Sequence, residues 1–194
     1  MATAYCYSVA DTKLNEAADT TNYGSDTTIS IDGSAGVRER PVIKFDLSTI
    51  PGGASINSVT LYVFNQSTLA LTNTVPVYRV LVNWIEAQAT WAVRTTGVAW
   101  TSVGCSGSGT DRAADAMGSL TIPNVADWYN CALDVAQFRL MQASNNGVVL
   151  YSDAPTKVIR SREFGTPGYV PYLAVVYVLQ PGNPTTYLSD YGVL

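Results

Sequence analysis

Apolar and polar positions alternate with a period of two along most of the chain, the signature of half-buried strands. Between 58 and 64, Val59, Leu61 and Val63 fall on one face, and Thr60, Tyr62 and Phe64 on the other. Tyr62 and Phe64 put large side chains on the second face, so that face is not simply wet. Similar runs predict strands over 4–9, 28–31, 42–47, 56–65, 74–81, 131–135, 147–152, 158–161 and 172–179. Gly, Pro, Asn and Asp break the chain between them, as in a sandwich. Helical spacing is scarce. One helix is predicted over 135–143, where Asp134 stands at the N-cap and Val135, Phe138 and Met141 share a face. Asn145, Asn146 and Gly147 supply the positive backbone angles that end it. The Gly/Ser/Thr-rich stretch 97–118 reads as a long loop. The expected fold is all-β: a single jelly-roll-like antiparallel β-sandwich over 1–179 with one short helix. Pro181, Gly182 and Pro184 then end β pairing, and 180–194 reads as a C-terminal arm.

Composition narrows the function. Of the 194 residues, 47% are hydrophobic and only 13% charged, where about a quarter is usual. Such a surface suits packing against copies of itself or against neutral polymers. A net charge of −4, with no run of Lys or Arg, argues against nucleic acid as a partner. The chain has no His, which removes Ser-His-Asp and Cys-His catalysis and His metal sites together. No segment reaches the roughly 18 apolar residues of a membrane-spanning helix. The amino terminus, MATAYCYSVADTKL, lacks the basic flank and apolar stretch of a secretory signal. Synthesis in the cytoplasm is therefore expected, with a virion or extracellular location reached by another route such as host lysis. Cys6, Cys105 and Cys131 have no metal-site spacing and an odd count, so at least one thiol is free. A Cys105–Cys131 disulfide after release stands beside three structural thiols as the two readings.

The segment RPVIKFDLSTIPGGASINSVTLYVF (40–64) joins two alternating strands by a Pro-Gly-Gly turn. It resembles the signature of the DNRLRE family, small β-sandwich modules of surface and wall-associated proteins. Other pieces follow in matching order. ADTKLNEAADTTNYG (10–24) is similar to the family's opening, and VNWIEAQATW (82–91) to its Trp-x-Glu and Thr-Trp. ALDVAQFRLMQASNNGVVLYS (132–152) is similar to its Asp-Val, helix and strand, and SREFGTPGYVPYLAVVY (161–177) to its closing Ser-x-Glu and last strand. The resemblance implies a sandwich without activity of its own, some of whose relatives bind polysaccharides. It also implies that Phe45, Asp46, Trp84, Glu86 and Trp91 are framework positions.

Each candidate site carries two readings. Trp84, Glu86, Thr90 and Trp91 form either a stacking platform for sugar rings or a core corner, and the resemblance favours the corner. Trp100 and Trp128 are candidate exposed aromatics for carbohydrate stacking. Asp26, Asp32, Asp111 and Asp115 are either ligands of a structural Ca²⁺ or solvated loop carboxylates; no Asp-x-Asp-x-Asp spacing supports the ion. Glu16, Asp19, Glu39, Asp46, Glu86 and Glu163 are the carboxylates from which a glycosidase pair would be drawn, but no spacing implies one. Arg38, Arg40, Arg160 and Arg162 form either a basic patch or ion pairs, with Glu39 and Glu163 as partners. In the arm, Tyr187, Leu188, Tyr191, Val193 and Leu194 have no obvious core to join; they pack back, stay disordered, or dock on a neighbouring subunit.

Three functional classes follow, none an enzyme. The first is a structural virion protein, a phage capsid decoration (cement) or fibre component that assembles on itself or a lattice protein through surface burial and its arm. The second is a carbohydrate-binding module, and the third a subunit of an extracellular filament or surface layer.

Overall fold

A computed structural model describes residues 1–68, 71–152, 154, 156–166 and 168–179. The arm residues Tyr187, Leu188, Tyr191, Val193 and Leu194 lie outside the described residues. In chain order the elements are β1 (Ala2–Asn15), β2 (Thr28–Ile31), β3 (Glu39–Phe45), β4 (Ser55–Asn65), β5 (Asn73–Arg79), β6 (Val93–Thr95), β7 (Val98–Ala99), β8 (Gly118–Ile122), β9 (Asp127–Leu133), α1 (Val135–Ala143), β10 (Val148–Leu150), β11 (Lys157–Arg160) and β12 (Tyr172–Val178). The strands pair antiparallel throughout.

Strand β1 belongs to both layers of the sandwich. Its first half pairs with β12, from Ala2↔Tyr177 to Tyr7↔Tyr172. After a register shift between Ser8 and Ala10, its second half pairs with β3. A bulge of this kind bends a strand and increases its twist, which lets one strand turn from one sheet into the other. The first layer contains β12, β4, β9, β11 and β2 beside the start of β1. The second contains β3, β10, β5 and β8 beside its end.

The inward positions of the two layers make the main core. Val59, Leu61 and Val63 of β4 and Leu173 and Val175 of β12 meet Ile43 and Phe45 of β3, Val75 and Val77 of β5, and Val148 and Leu150 of β10. The expected split of 58–64 into two faces holds, with Thr60, Tyr62 and Phe64 outside. Helix α1 covers its predicted residues, and Asp134 caps it by accepting from the Gln137 N–H at 2.7 Å. It buries Phe138 and Met141 in the same core. Gly147 then turns the chain at φ +74°, and a Cβ there would lie 1.9 Å from the Ile43 carbonyl oxygen. No helix among the described residues is long and apolar enough to cross a membrane.

A second core lies on the outer face of the second layer. Leu14, Val42, Val80 and Val149 are covered there by Trp84, Ala89, Trp91, Trp100 and Cys105 from the excursion between β5 and β8. The excursion is more ordered than the long loop expected of 97–118. It contains the small β6–β7 pair, and Asp111 organises its far end. Asp111 is fully buried and accepts from the N–H groups of Thr101, Ser102 and Gly107 at 2.8, 2.8 and 3.1 Å. It is therefore neither a solvated loop carboxylate nor a free cation ligand.

The expected arginine ion pairs hold only for Arg162 with Glu163, at 2.8 Å. Arg38 pairs with Glu16 at 2.9 Å, while Glu39 takes Lys13 at 3.2 Å. Arg40 and Arg160 lie over aromatic rings, Arg40 on Trp91 and Tyr151, and Arg160 on Phe64, Phe164 and Tyr169. The three cysteines are buried free thiols. Cys131 lies in the main core and Cys105 in the second. Burial raises all three thiols, that of Cys131 to about 12, so none is a ready thiolate at neutral pH.

Candidate functional site

Among the described residues the outer face of the first layer has no roof like the one over the second, and it is lined with aromatic rings. Alternation makes the face. In β1, Ala4 and Cys6 point to the core, so Tyr5 and Tyr7 point out and are 54% and 50% exposed. The same parity turns Tyr172 out of β12, Tyr62 and Phe64 out of β4, and Trp128 out of β9. Register then aligns them. Tyr7 is opposite Tyr172, Tyr172 opposite Tyr62, and Phe64 opposite Trp128. A row of three tyrosines thus crosses three neighbouring strands, which lie about 4.8 Å apart in any sheet.

The rings touch one another. Tyr62 and Tyr172 stack at 4.7 Å with planes 4° apart. Tyr5 and Tyr7 meet Tyr172 at 6.0 and 5.7 Å. Trp128 sets its edge toward Tyr172 at 5.4 Å and stacks on Tyr169 at 6.2 Å. Phe64 packs edge-on against both Trp128 and Tyr169. The Arg160 guanidinium lies 4.1 Å from the Phe64 ring centre and 4.4 Å from that of Tyr169, closing one end. Burial, with smaller contributions from Tyr62, Tyr5 and Tyr7, raises the Tyr172 hydroxyl above its usual value. It stays protonated at neutral pH and able to donate. Ser58, Thr60 and Asn130 share the face and add small polar groups between the rings.

Of the two tryptophans singled out for stacking, the fold places one on this face. Trp128 is half-buried among the rings. Trp100 is 4% exposed, and its indole N–H donates to the Thr90 carbonyl at 2.9 Å. It is part of the second core and has no face to offer a ligand. Trp84 and Trp91 also lie inside that core, as the corner reading expected. Phe45 is fully buried, and Asp46 accepts from the Ser48 N–H at 2.9 Å in the turn after β3. Tyr5, Tyr7 and Tyr172 escaped attention in the sequence. Their signal was the alternation with Ala4, Cys6 and Leu173; their alignment depends on register, which no single strand reveals.

Asp11, Glu86 and Glu163 converge, with one ligand oxygen from each lying within 4.8 Å of the others. Glu86 accepts from the Asp11 N–H at 2.7 Å and from Arg162 Nε and Nη2 at 2.8 and 2.9 Å. Arg162 Nε is also 2.8 Å from Glu163 Oε1, and its backbone N–H donates to Asp11 Oδ2 at 2.8 Å. Burial raises the Asp11 carboxyl to about 7, with Glu163 and Glu86 adding, against the Arg162 N–H bond. Arg162 and the Asp11 N–H hold these carboxylates in one network, short of the separation of about 6.5–9.5 Å that an inverting glycosidase needs for its water.

No curated protein matches the chain. The model of carbohydrate-binding module family 96 matches residues 2–105, more than half of the 194. That segment carries Tyr5, Tyr7, Tyr62, Phe64, Asp11 and Glu86; the sandwich is completed by the residues beyond it. The match carries this family and not the DNRLRE name. The chain belongs to carbohydrate-binding module family 96.

Proposed function

We propose that the protein binds a polysaccharide on the outer face of its first layer. Sugar rings pack against the exposed sides of Tyr5, Tyr7, Tyr62, Tyr172 and Trp128, and their hydroxyls bond to tyrosine hydroxyls, Ser58, Thr60 and Asn130. The observation that carries this reading is the contrast between the two outer faces. One is roofed by the excursion with its three tryptophans. The other keeps exposed Tyr5 and Tyr7 beside a contiguous set of rings. Exposed apolar patches of this kind mark binding surfaces. Tyr and Trp suit the task because each offers a rigid apolar face and a polar tip at low entropic cost. The rings already hold one another, so little ordering opposes binding. Family membership points to the same class of ligand. No feature of the described residues or of the family match favours the virion or filament readings.

Electrophoresis of the native chain through gels containing soluble polysaccharides, with co-sedimentation on insoluble ones, tests the reading. Retention by at least one polysaccharide is expected. Free migration across a broad panel of neutral and acidic polymers would overturn it.

A further inference from the structure

The convergence of Asp11, Glu86 and Glu163 joins three distant parts of the chain. Asp11 follows the bulge of β1, Glu86 follows Trp84 in the excursion, and Glu163 lies beyond β11. They are the acidic residues of the Ala-Asp-Thr, Trp-x-Glu and Ser-x-Glu pieces of the sequence. Three carboxyl groups there face one guanidinium, Arg162, whose Nε and Nη2 are already committed to Glu86 and Glu163. Lys44, which feels the charge of Glu86, gives its ammonium to Asn83 Oδ1 and the Trp84 carbonyl. Two oxygens of the cluster are left over. Asp11 Oδ1 and Glu163 Oε2 are buried and have no hydrogen-bond partner, and Asp11 as a whole is 1% exposed. A buried, unpartnered carboxylate oxygen is costly unless a proton or a cation meets it.

We propose that this cluster is a Ca²⁺ site, with the Asp11 and Glu163 carboxylates as its principal protein ligands and Glu86 beside them. Donor type selects the ion: every available ligand is a hard oxygen, which suits Ca²⁺ or Mg²⁺ and not a thiolate- or imidazole-seeking metal. Spacing favours the larger ion. Oxygens bound to one Ca²⁺ at about 2.3–2.6 Å lie no more than about 5 Å apart, and the three carboxylates meet that limit at 4.8 Å. Irregular placement and an adjoining guanidinium suit a tolerant, modest-affinity Ca²⁺ site better than the strict octahedron of Mg²⁺. Once bound, the ion ties β1, the excursion and the segment after β11 together, so it stabilises the fold without touching the aromatic face.

Isothermal titration of the chelator-treated protein with CaCl₂, paired with thermal melts, tests the site. One equivalent of Ca²⁺ is expected to bind at up to millimolar Kd and to raise Tm by several degrees. Glu163→Gln and Asp11→Asn keep the shape of the cluster and reduce its charge. Each should fold and lose the response to Ca²⁺, with binding at least tenfold weaker. Absence of both heat and Tm shift in the native protein at millimolar CaCl₂ would overturn the proposal. So would a response retained in both variants, or an equal Tm rise with MgCl₂ or with NaCl of matched ionic strength.

Discussion

Trp128→Ala is expected to weaken polysaccharide binding at least tenfold while the protein stays folded. The indole occupies the point where the tyrosine row meets Phe64 and Tyr169. Its loss removes both its own stacking surface and a wall that holds Tyr172. Aromatic anchors near the centre of an interface commonly cost 2 kcal/mol or more on truncation, and tenfold in affinity is about 1.4 kcal/mol. The cost to the fold is smaller, because Trp128 stands outside both cores and is half-buried. Lost ring contacts of this kind are worth about 1 kcal/mol. Titration of the variant with a polysaccharide that the native chain retains, alongside a thermal melt, separates the two effects. Unchanged affinity in a folded Trp128→Ala protein would remove this face from the binding mechanism.

Trp84→Ala should show the opposite signature, with a large loss of stability. Trp84 is 1% exposed and, as part of the excursion, packs into the cluster with Leu14, Val42 and Val149. Its indole N–H donates to the Asn146 carbonyl at 2.9 Å, and the Lys44 ammonium lies 4.7 Å from its ring centre. Truncation opens a cavity, strands a buried carbonyl and frees an ammonium at once. Trp→Ala changes in cores cost about 3–5 kcal/mol, a large part of the 5–15 kcal/mol that typically holds a domain. Urea denaturation measures it as a lowered midpoint. A loss below about 1 kcal/mol would mean that the excursion is an ornament and not a second core.

Local periodicity made much of the fold legible. The two-sided alternation of Ser58–Phe64 divided β4 into its two faces, and Asp134 with Phe138 and Met141 marked α1. Elements with weak local signals were missed. The second half of β1 carries Asp11, Thr12 and Lys13, polar residues that hide a strand whose pairing depends on β3. Strand β8 begins at a glycine within a stretch that reads as loop; a Cβ on Gly118 would lie 2.6 Å from the Ala132 carbonyl oxygen. The site was legible in fragments. Tyr62 and Phe64 were placed together on one face, and Trp128 was singled out, but their meeting with Tyr7 and Tyr172 depends on strand register. Trp100 and Trp128 look alike in sequence, since burial of a tryptophan is decided by what covers it. Asp11, Glu86 and Glu163 each stood in a recognisable piece, yet the main-chain fold alone brings them within 4.8 Å.

Hydroxyl-radical footprinting of the native chain, free and saturated with a retained polysaccharide, tests the binding face most directly. Tyr and Trp side chains report their own accessibility in this experiment. Protection is predicted at Tyr5, Tyr7 and Trp128, with no change at Tyr23, which lies under Lys13 away from the ring row. Bound polysaccharide that leaves Tyr5, Tyr7 and Trp128 as reactive as before, or that protects residues of the excursion instead, would contradict a binding site on the first layer.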